Sequence, residues 1–475
     1  MNRLFSLFRC FPQNNGFQNS ISRKRQTPAL LLFLATAGFA AAQETLTLPQ
    51  AIEIALQNNY SIRIVKNQQQ AAENNYNRGN AGFLPSVTAG AQTNNNYNAL
   101  FRQQRKVPQT VINPVTKDTS FREVTQINEF NGRTNNAYSA NVTLNWTVFD
   151  GFAMFANYDR LAEIRAAGRE NTKAAIENTV ADVTNAYFAI IQQERRRIVF
   201  EDALKISEQR LKLARNRYEV GSGSKQDYLS AQVDYNADQS ALIGQEQQIA
   251  NAKIAVNQLL ARPAGTAIAA SDTIIVNPNL NLAGLQGSVE KQNTNLLVAQ
   301  RNRNVAYLDT KIVRAQRLPQ VNVFGAVTRG YQNSRAFIVP NLTNSAVVNY
   351  GASVNINIFN GGIQNRFVQN ARIAQETAGF QYEDLRNQVL AGLESAFVAY
   401  ANNLKLIELE RQNLAVARQN VVIALERYKT GVSTPLEVRD VQRNAVAAES
   451  RLIDATYNAK ASETELLRLS SQIVR

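Results

Sequence analysis

The chain repeats itself at a fixed distance of 210 residues, which restricts it to folds built from two copies of one plan. Phe149-Asp150-Gly151 returns as Phe359-Asn360-Gly361, and Tyr218-Glu219-Val220-Gly221 returns as Tyr428-Lys429-Thr430-Gly431. Gln232 and Gln442 keep that distance, as do Tyr187 and Phe397. Upstream, Phe83-Leu84-Pro85 matches Arg317-Leu318-Pro319, but the first copy has about 24 more residues before its next landmark. That insertion falls near Leu100 to Arg133, contains Pro108 and Pro114, and reads as a loop. A stretch bearing Pro, Gly and Asn from Arg262 to Leu282 joins the copies. The expected organisation is a leader over 1–42, a first copy over 43–265, a linker over 266–281 and a second copy over 282–475.

Each copy holds one very long helical pattern. No proline interrupts Phe152 to Val220 or Ile363 to Thr430; all eleven prolines of the chain lie outside these spans. Apolar residues recur every seven positions, as Ile176, Val183, Ile190, Leu204, Leu211 and Tyr218, and again as Leu393, Tyr400, Ile407, Leu414, Val421 and Tyr428. At 1.5 Å per residue, about 70 residues make a helix roughly 100 Å long. Shorter patterns flank each one: Leu48 to Asn80 and Lys225 to Arg262 in the first copy, Leu285 to Gln316 and Leu436 to Ile473 in the second. Stacked end to end, each pair matches the length of its long helix. Helices alone leave a coiled-coil rod open.

Strands argue against the rod. Tyr138, Ala140, Val142, Leu144, Trp146 and Val148 alternate with Ser139, Asn141, Thr143, Asn145 and Thr147. The second copy reads Tyr350, Ala352, Val354, Ile356 and Ile358 against Asn349, Gly351, Ser353, Asn355 and Asn357. Earlier partners, Ser86 to Tyr97 and Gln320 to Thr328, complete two hairpins and hence four strands. One face is apolar and the other polar but uncharged, a pattern that also suits a half-buried soluble sheet. In lipid, a four-stranded sheet carries two unpaired edges, each exposed backbone group costing several kcal/mol. Closure removes edges, and closed single-layer barrels need at least about eight strands, so dimer and trimer are the smallest solutions.

The beginning of the chain reads as an export signal. Arg23, Lys24 and Arg25 precede an apolar run from Pro28 to Phe39, and Ala40-Ala41-Ala42 offers a cleavage site before Gln43. The lone cysteine, Cys10, lies upstream of that run and leaves with it; the chain has no histidine. Thiol nucleophiles, imidazole bases, thiolate or imidazole metal sites and disulfides are thereby excluded, and a catalytic role is reduced to paired carboxylates. No cofactor or metal is expected. The net charge of +14 falls to +9 without the basic leader residues Arg3, Arg9, Arg23, Lys24 and Arg25, since no acid precedes Glu44. These charges are scattered along helical patterns without aromatic interleaving, which argues against nucleic acid. Gly221-Ser222-Gly223-Ser224-Lys225 has the composition of a phosphate loop but not its spacing, and reads as a turn.

The order helix, Leu-Pro, strand, connection, strand, Phe-Asp/Asn-Gly, long helix, Tyr-x-x-Gly, return helix, given twice behind a signal peptide, resembles the TolC-type outer-membrane efflux proteins over the whole mature chain. Its most specific stretches are Tyr218 to Gln232 (YEVGSGSKQDYLSAQ) and Tyr428 to Gln442 (YKTGVSTPLEVRDVQ), which look like the two helical-hairpin tips of that family. The resemblance implies a mainly α fold with a membrane β-barrel: a homotrimer with a 12-stranded β-barrel, four strands per protomer, continuous with a long periplasmic α-helical barrel. It implies a passive exit duct for tripartite efflux or type I secretion, in outer-membrane lipid. Its partners would be a periplasmic adaptor (membrane fusion) protein and an inner-membrane RND or ABC transporter. A periplasmic coiled-coil scaffold is the competing reading, and it predicts a water-soluble protein.

Gly221 and Gly431 suit the residue that ends a helix, and Ser224 and Thr434 the N-cap of the next. Asp227 and Glu437 follow at capping-box spacing, so local capping is one account of both acids. Asp440 sits one turn beyond Glu437 and is not needed for the cap; a solvated pair with Arg443 is its plain reading. By the resemblance, Glu437 and Asp440 line a constricted periplasmic entrance and favour cations, and Asp227 and Tyr428 latch neighbouring helices. A second latch in that family uses an arginine where Ser433 stands here. The tips at Gly221, Ser222, Gly431 and Val432 match the place where adaptor hairpins dock; turn geometry explains small residues there equally well. Met154 is the only sulfur after the leader, which disfavours a copper or silver site.

Overall fold

A computed structural model describes residues 45–270, 272–335 and 340–474. The leader, its cleavage site and Cys10 lie outside them. The described elements are β1 (Thr45–Leu46), α1 (Leu48–Asn58), α2 (Tyr60–Asn75), α3 (Arg78–Ala81), β2 (Ser86–Ile112), β3 (Thr119–Phe149), α4 (Ala153–Glu219) and α5 (Lys225–Leu259). They continue with β4 (Ala269–Ala270), α6 (Leu282–Gln292), α7 (Thr294–Ala315), β5 (Gln320–Arg335), β6 (Pro340–Asn355), α8 (Ile363–Lys429) and α9 (Pro435–Leu469). The chain is mostly helical. The long helices α4 and α8 are 67 residues each, and the return helices α5 and α9 are 35 each.

Glycine launches both long helices. Gly151 has φ +72°, and a Cβ there would lie 2.5 Å from the Ala315 carbonyl oxygen, so no side chain fits between strand end and helix start. Both lead-in patterns break at an asparagine, Asn59 in the first copy and Asn293 in the second, and the first breaks once more before α3. Asn59 Oδ1 accepts from the Ser61 and Ile62 amides, while its Nδ2 donates to the Leu259 carbonyl at 2.9 Å. Asn293 does the same between α6 and α7, accepting from the Leu296 amide and donating to the Leu469 carbonyl at 2.8 Å. One side chain thus starts a helix and caps the end of a return helix, which is why a single continuous helix is not formed.

The four long strands form one antiparallel sheet in the order β2-β3-β5-β6, leaving β2 and β6 as its edges. Below it the helices lie side by side, α2, α4, α7 and α8 nearer the sheet and α5, α4, α9 and α8 toward the far end. Along the sheet, cross-strand register puts Val87, Ala89, Val142, Leu144, Trp146, Val323, Val327, Val348 and Tyr350 on one face, with Tyr138 opposite Tyr331 at its far end. The other face carries Thr88, Gln92, Ser139, Asn141, Thr143, Thr328, Asn349 and Ser353.

Two expectations about strands are corrected. The insertion near Leu100 to Arg133 is no loop: β2 and β3 stay paired to Ile112↔Thr119, and Pro108 is in register with Glu123. There the two strands have no third neighbour among the described residues, so a residue lacking an N–H is tolerated on an open edge. The reversal sits at Asn113, whose Oδ1 accepts from the Val115 amide at 3.0 Å, and Lys117 takes φ +58°. Conversely, β6 ends at Asn355, so Ile356 and Ile358 continue the alternation without belonging to the strand.

Two apolar clusters lie at mid-height. One gathers Val183, Tyr187, Ile190, Val256 and Leu260; the other gathers Leu393, Tyr400, Val289, Leu296 and Leu466. Full burial of each such aliphatic side chain contributes about 1.5–3 kcal/mol. The linker is tied to both: the Tyr187 hydroxyl donates to Asp272 Oδ2 at 2.7 Å, and the Tyr400 hydroxyl donates to the Asn277 carbonyl. Ala167, Ala174 and Ala181, buried and seven residues apart, let α4 approach its neighbours closely, a seam of small residues beside the large ones.

Candidate functional site

Both helical hairpins end in the same turn. Gly221 (φ +77°) donates to the Tyr218 carbonyl and Ser222 to the Arg217 carbonyl; Gly431 (φ +81°) donates to Tyr428 and Val432 to Arg427. This two-bond closure satisfies the last carbonyls of α4 and α8 and requires the left-handed conformation that glycine adopts without strain. The Ser224 and Thr434 hydroxyl oxygens then accept from the amides of Asp227 (3.0 Å) and Glu437 (3.2 Å), starting α5 and α9. The reciprocal half of a capping box is formed by neither acid among the described residues. Instead the Glu437 carboxylate accepts from the Ser433 hydroxyl at 2.8 Å.

Equivalent residues of the tips sit in unequal surroundings. Tyr218 is 42% exposed and stacks on Tyr228, whereas Tyr428 is 2% exposed. The Arg217 guanidinium lies over the Tyr428 ring, 4.9 Å from its centroid, and donates to the carbonyls of Tyr428 (2.7 Å) and Lys429 (3.3 Å). A cation from α4 therefore caps the C-terminus of α8, where the helix dipole favours it. Burial pushes the Tyr428 phenol up; Arg217 and Arg210 oppose this, and the Asp227 carboxylate adds to it. Asp227 and Tyr428 are thus within electrostatic reach of each other, with no direct hydrogen bond between them among the described residues. Glu437 and Asp440 are both exposed on α9, and Asp440 makes no ion pair with Arg443 among the described residues.

Above the tips lies a polar cluster that sequence reasoning missed. Arg210, 2% exposed, donates to Asp234 Oδ2 at 3.0 Å and to the Pro435 carbonyl at 3.2 Å. Arg439 Nη1 donates to both oxygens of Asp238, at 2.9 and 2.8 Å, and its Nε lies 3.4 Å from Asp234. Gln442, also 2% exposed, donates to the Ala203 carbonyl at 2.8 Å, and the Ser207 hydroxyl donates to Asp238. Two guanidinium groups and two carboxylates balance, and the cluster joins α4, α5 and α9 where α9 leaves its tip. Only the repetition of Gln232 as Gln442 hinted at it.

A family model described as outer membrane efflux protein matches residues 51–262 and 285–471, most of the chain and both tips. The chain belongs to this family. Outer membrane efflux protein BepC of Brucella suis biovar 1 is 21% identical over 334 residues, 70% of this chain and 72% of that one. Outer membrane protein TolC of Escherichia coli is 20% identical over 445 residues, 90% of this chain and 83% of its own. Among solved structures, the outer membrane protein VceC from Vibrio cholerae superposes with a TM-score of 0.68 at 18% identity, covering 89% of this chain and 95% of that chain. The fold is therefore that of the TolC-like channel proteins. In this outer membrane efflux protein the matched segments leave out residues 263–284, the connection holding β4 and the linker residues bonded to Tyr187 and Tyr400.

Proposed function

We propose that three copies of this chain close into a passive outer-membrane exit duct, with a twelve-stranded barrel in lipid and a helical barrel in the periplasm. The two-copy plan places two hairpins and two helical pairs in each protomer. The observation that carries the reading is the open four-stranded sheet, whose apolar face runs from Trp146 to Tyr138, about 27 Å along the strand. At a strand tilt of about 40° this rises about 21 Å, most of the roughly 25 Å band between aromatic girdles of outer-membrane barrels, and such an edge is tolerated in hydrocarbon only when paired. No helix of the described residues is long and apolar enough to cross a membrane. Phe367, Ile373, Phe380, Val398 and Val416 on α8 are more than half exposed and supply an apolar flank for a neighbouring protomer.

The duct carries out no reaction of its own. It docks through Gly221, Ser222, Gly431 and Val432 to a periplasmic adaptor and, through it, to an inner-membrane RND or ABC pump that supplies the energy and selects the cargo. Glu437 and Asp440 from three copies ring the entrance and favour cations. Tyr428 and Asp227 hold it narrow, with Ser433 bound to Glu437 in place of an arginine latch. Detergent-purified protein is expected to be a trimer that conducts in planar bilayers, with Glu437→Gln/Asp440→Asn lowering cation preference. A stable, water-soluble monomer would overturn the duct in favour of a periplasmic scaffold; unchanged cation preference in a conducting trimer would overturn the charged ring alone.

A further inference from the structure

β2 and β3 run far past their neighbours. β5 pairs with β3 only between Asn135 and Phe149, yet the β2–β3 register continues from Leu100↔Asn131 to Ile112↔Thr119. The two strands therefore leave the end of the sheet remote from the helices as a ribbon with no third strand beside it among the described residues. Its twelve residue steps span about 40 Å. A twelve-stranded barrel with strands about 4.8 Å apart and tilted about 40° has a diameter of roughly 24 Å. Each ribbon is thus longer than the mouth above which it stands.

The two faces of the ribbon differ in charge. The face continuous with the polar side of the sheet carries Leu100, Ile112, Phe121 and Ile127, which are 45–76% exposed. Its ionic groups cancel: Arg102 Nε lies 3.0 Å from Glu129 Oε1, and Lys106 Nζ lies 3.7 Å from Glu123 Oε2. The face continuous with the apolar band is apolar too, with Val107, Val111 and Val124, but it also carries Arg105 and Arg122, neither with a carboxylate partner among the described residues, so that charge is what separates the two faces. An isolated two-stranded ribbon is marginal in water, and exposed apolar residues on it call for a packing partner. Three neutral faces can converge on an axis; three faces that each bear two uncompensated cations repel.

Resting on the trimeric barrel argued above, we propose that the three ribbons fold inward over the outer mouth and pack their lumen-side faces together as an extracellular cap that narrows the exit. The occupant of each charge-balanced face is a second copy of the same chain. Continuity supports this choice, because the ribbon prolongs β2, the edge strand through which the barrel must close onto the next protomer.

The test uses the full chain in a Cys10→Ser background, so that any thiol is an introduced one. Phe121→Cys, on the inward face, is expected to give inter-protomer cross-links with a short bismaleimide several-fold more efficiently than Arg122→Cys on the opposite face. Replacing residues 101–130 by Asn-Gly, a turn that closes a hairpin on its own, is expected to raise single-channel conductance at least about twofold. Equal or absent linking at the two positions in an intact, conducting trimer overturns the cap, as it would if the ribbons lay outward on the lipid surface. Linking with unchanged conductance after deletion overturns the narrowing. A monomer overturns the barrel reading, and the cap with it.

Discussion

Helices α4 and α8 have the same length and the same place in the repeated plan, yet α4 buries 21 residues and α8 only eight. The cause is their position in the layer. α4 has helices on both flanks along its whole length, α2 and α7 nearer the sheet, α5 and α9 nearer the tips; α8 has α7 and α9 on one flank and, among the described residues, no helix on the other. The two helices are alike in length, and topology makes one interior and one peripheral. Side chains that match across the 210-residue interval are therefore expected to differ in energetic weight, and comparing them pairwise tests which flanks a neighbouring protomer covers.

The largest contrast falls at Arg210, whose counterpart by the repeat is the exposed Asn420. Arg210 is the buried member of the cluster with Asp234, Asp238, Arg439 and Gln442, and its removal leaves Asp234 facing a single guanidinium. Breaking a buried ionic contact from one side typically costs 3–5 kcal/mol; because Asp234 is partly solvated, Arg210→Ala is expected to cost about 3 kcal/mol. Asn420→Ala should change stability by less than about 0.5 kcal/mol. Denaturant unfolding of both variants checks this, and equal losses would mean that the flank of α8 is as covered as that of α4.

Next in size are the tip tyrosines. Tyr428→Ala removes a ring that is 2% exposed and sits under Arg217, with an expected loss of about 3 kcal/mol. Tyr218→Ala removes a ring that is 42% exposed and stacked on Tyr228, with an expected loss of about 1 kcal/mol. Thermal unfolding of the assembled protein sharpens the comparison: a Tyr218→Ala loss as large as that of Tyr428→Ala would place a partner over the first tip. The glutamines come third. Gln442→Ala removes a buried amide that donates to the Ala203 carbonyl, in addition to that carbonyl's helical donor, and is expected to cost about 1–2 kcal/mol, while Gln232→Ala, at an exposed position, should be neutral.

These contrasts also mark what local pattern can and cannot convey. Proline-free spans, heptads and Tyr-x-x-Gly turns are local signals, and the long helices and tips formed where those signals stood, within about a residue at each end. The β ribbon was hidden because Pro108 and Pro114 punctuate it and its apolar residues alternate only weakly, so that pairing with β3, not composition, makes it a strand. Asn59 and Asn293 were hidden because an asparagine inside a periodic helical stretch looks like a surface residue; its role as a double cap depends on carbonyls about two hundred positions away. The Arg210 cluster depends on contacts of that same range. Heptad spacing treated Tyr218 and Tyr428 alike, since a repeat in sequence carries no information about which copy has a neighbour on each side.

The smallest expected effect is the one that depends on pH. Glu177 of α4 is 3% exposed, accepts from the Thr294 hydroxyl at 3.0 Å and the Ser471 hydroxyl at 3.1 Å, and has Lys173 at 3.9 Å. Burial raises its pKa, and these hydrogen bonds and the nearby cations only partly offset that. A carboxyl whose folded pKa lies above its unfolded value of about 4.3 binds protons more readily in the native state, so it costs stability once pH has risen through the folded pKa and costs nothing below the unfolded one. Glu177→Gln keeps the shape and an acceptor for one hydroxyl while removing the charge. It is expected to melt higher than the parent at neutral pH and together with the parent near about pH 3. Its counterpart by the repeat, Asn387, is exposed, so Asn387→Asp should leave the pH dependence of melting unchanged. A pH-dependent change at Asn387 comparable with that at Glu177 would show that the open flank of α8 is desolvated in the assembled protein, and would turn this pair of titrations into a direct reading of the missing neighbour.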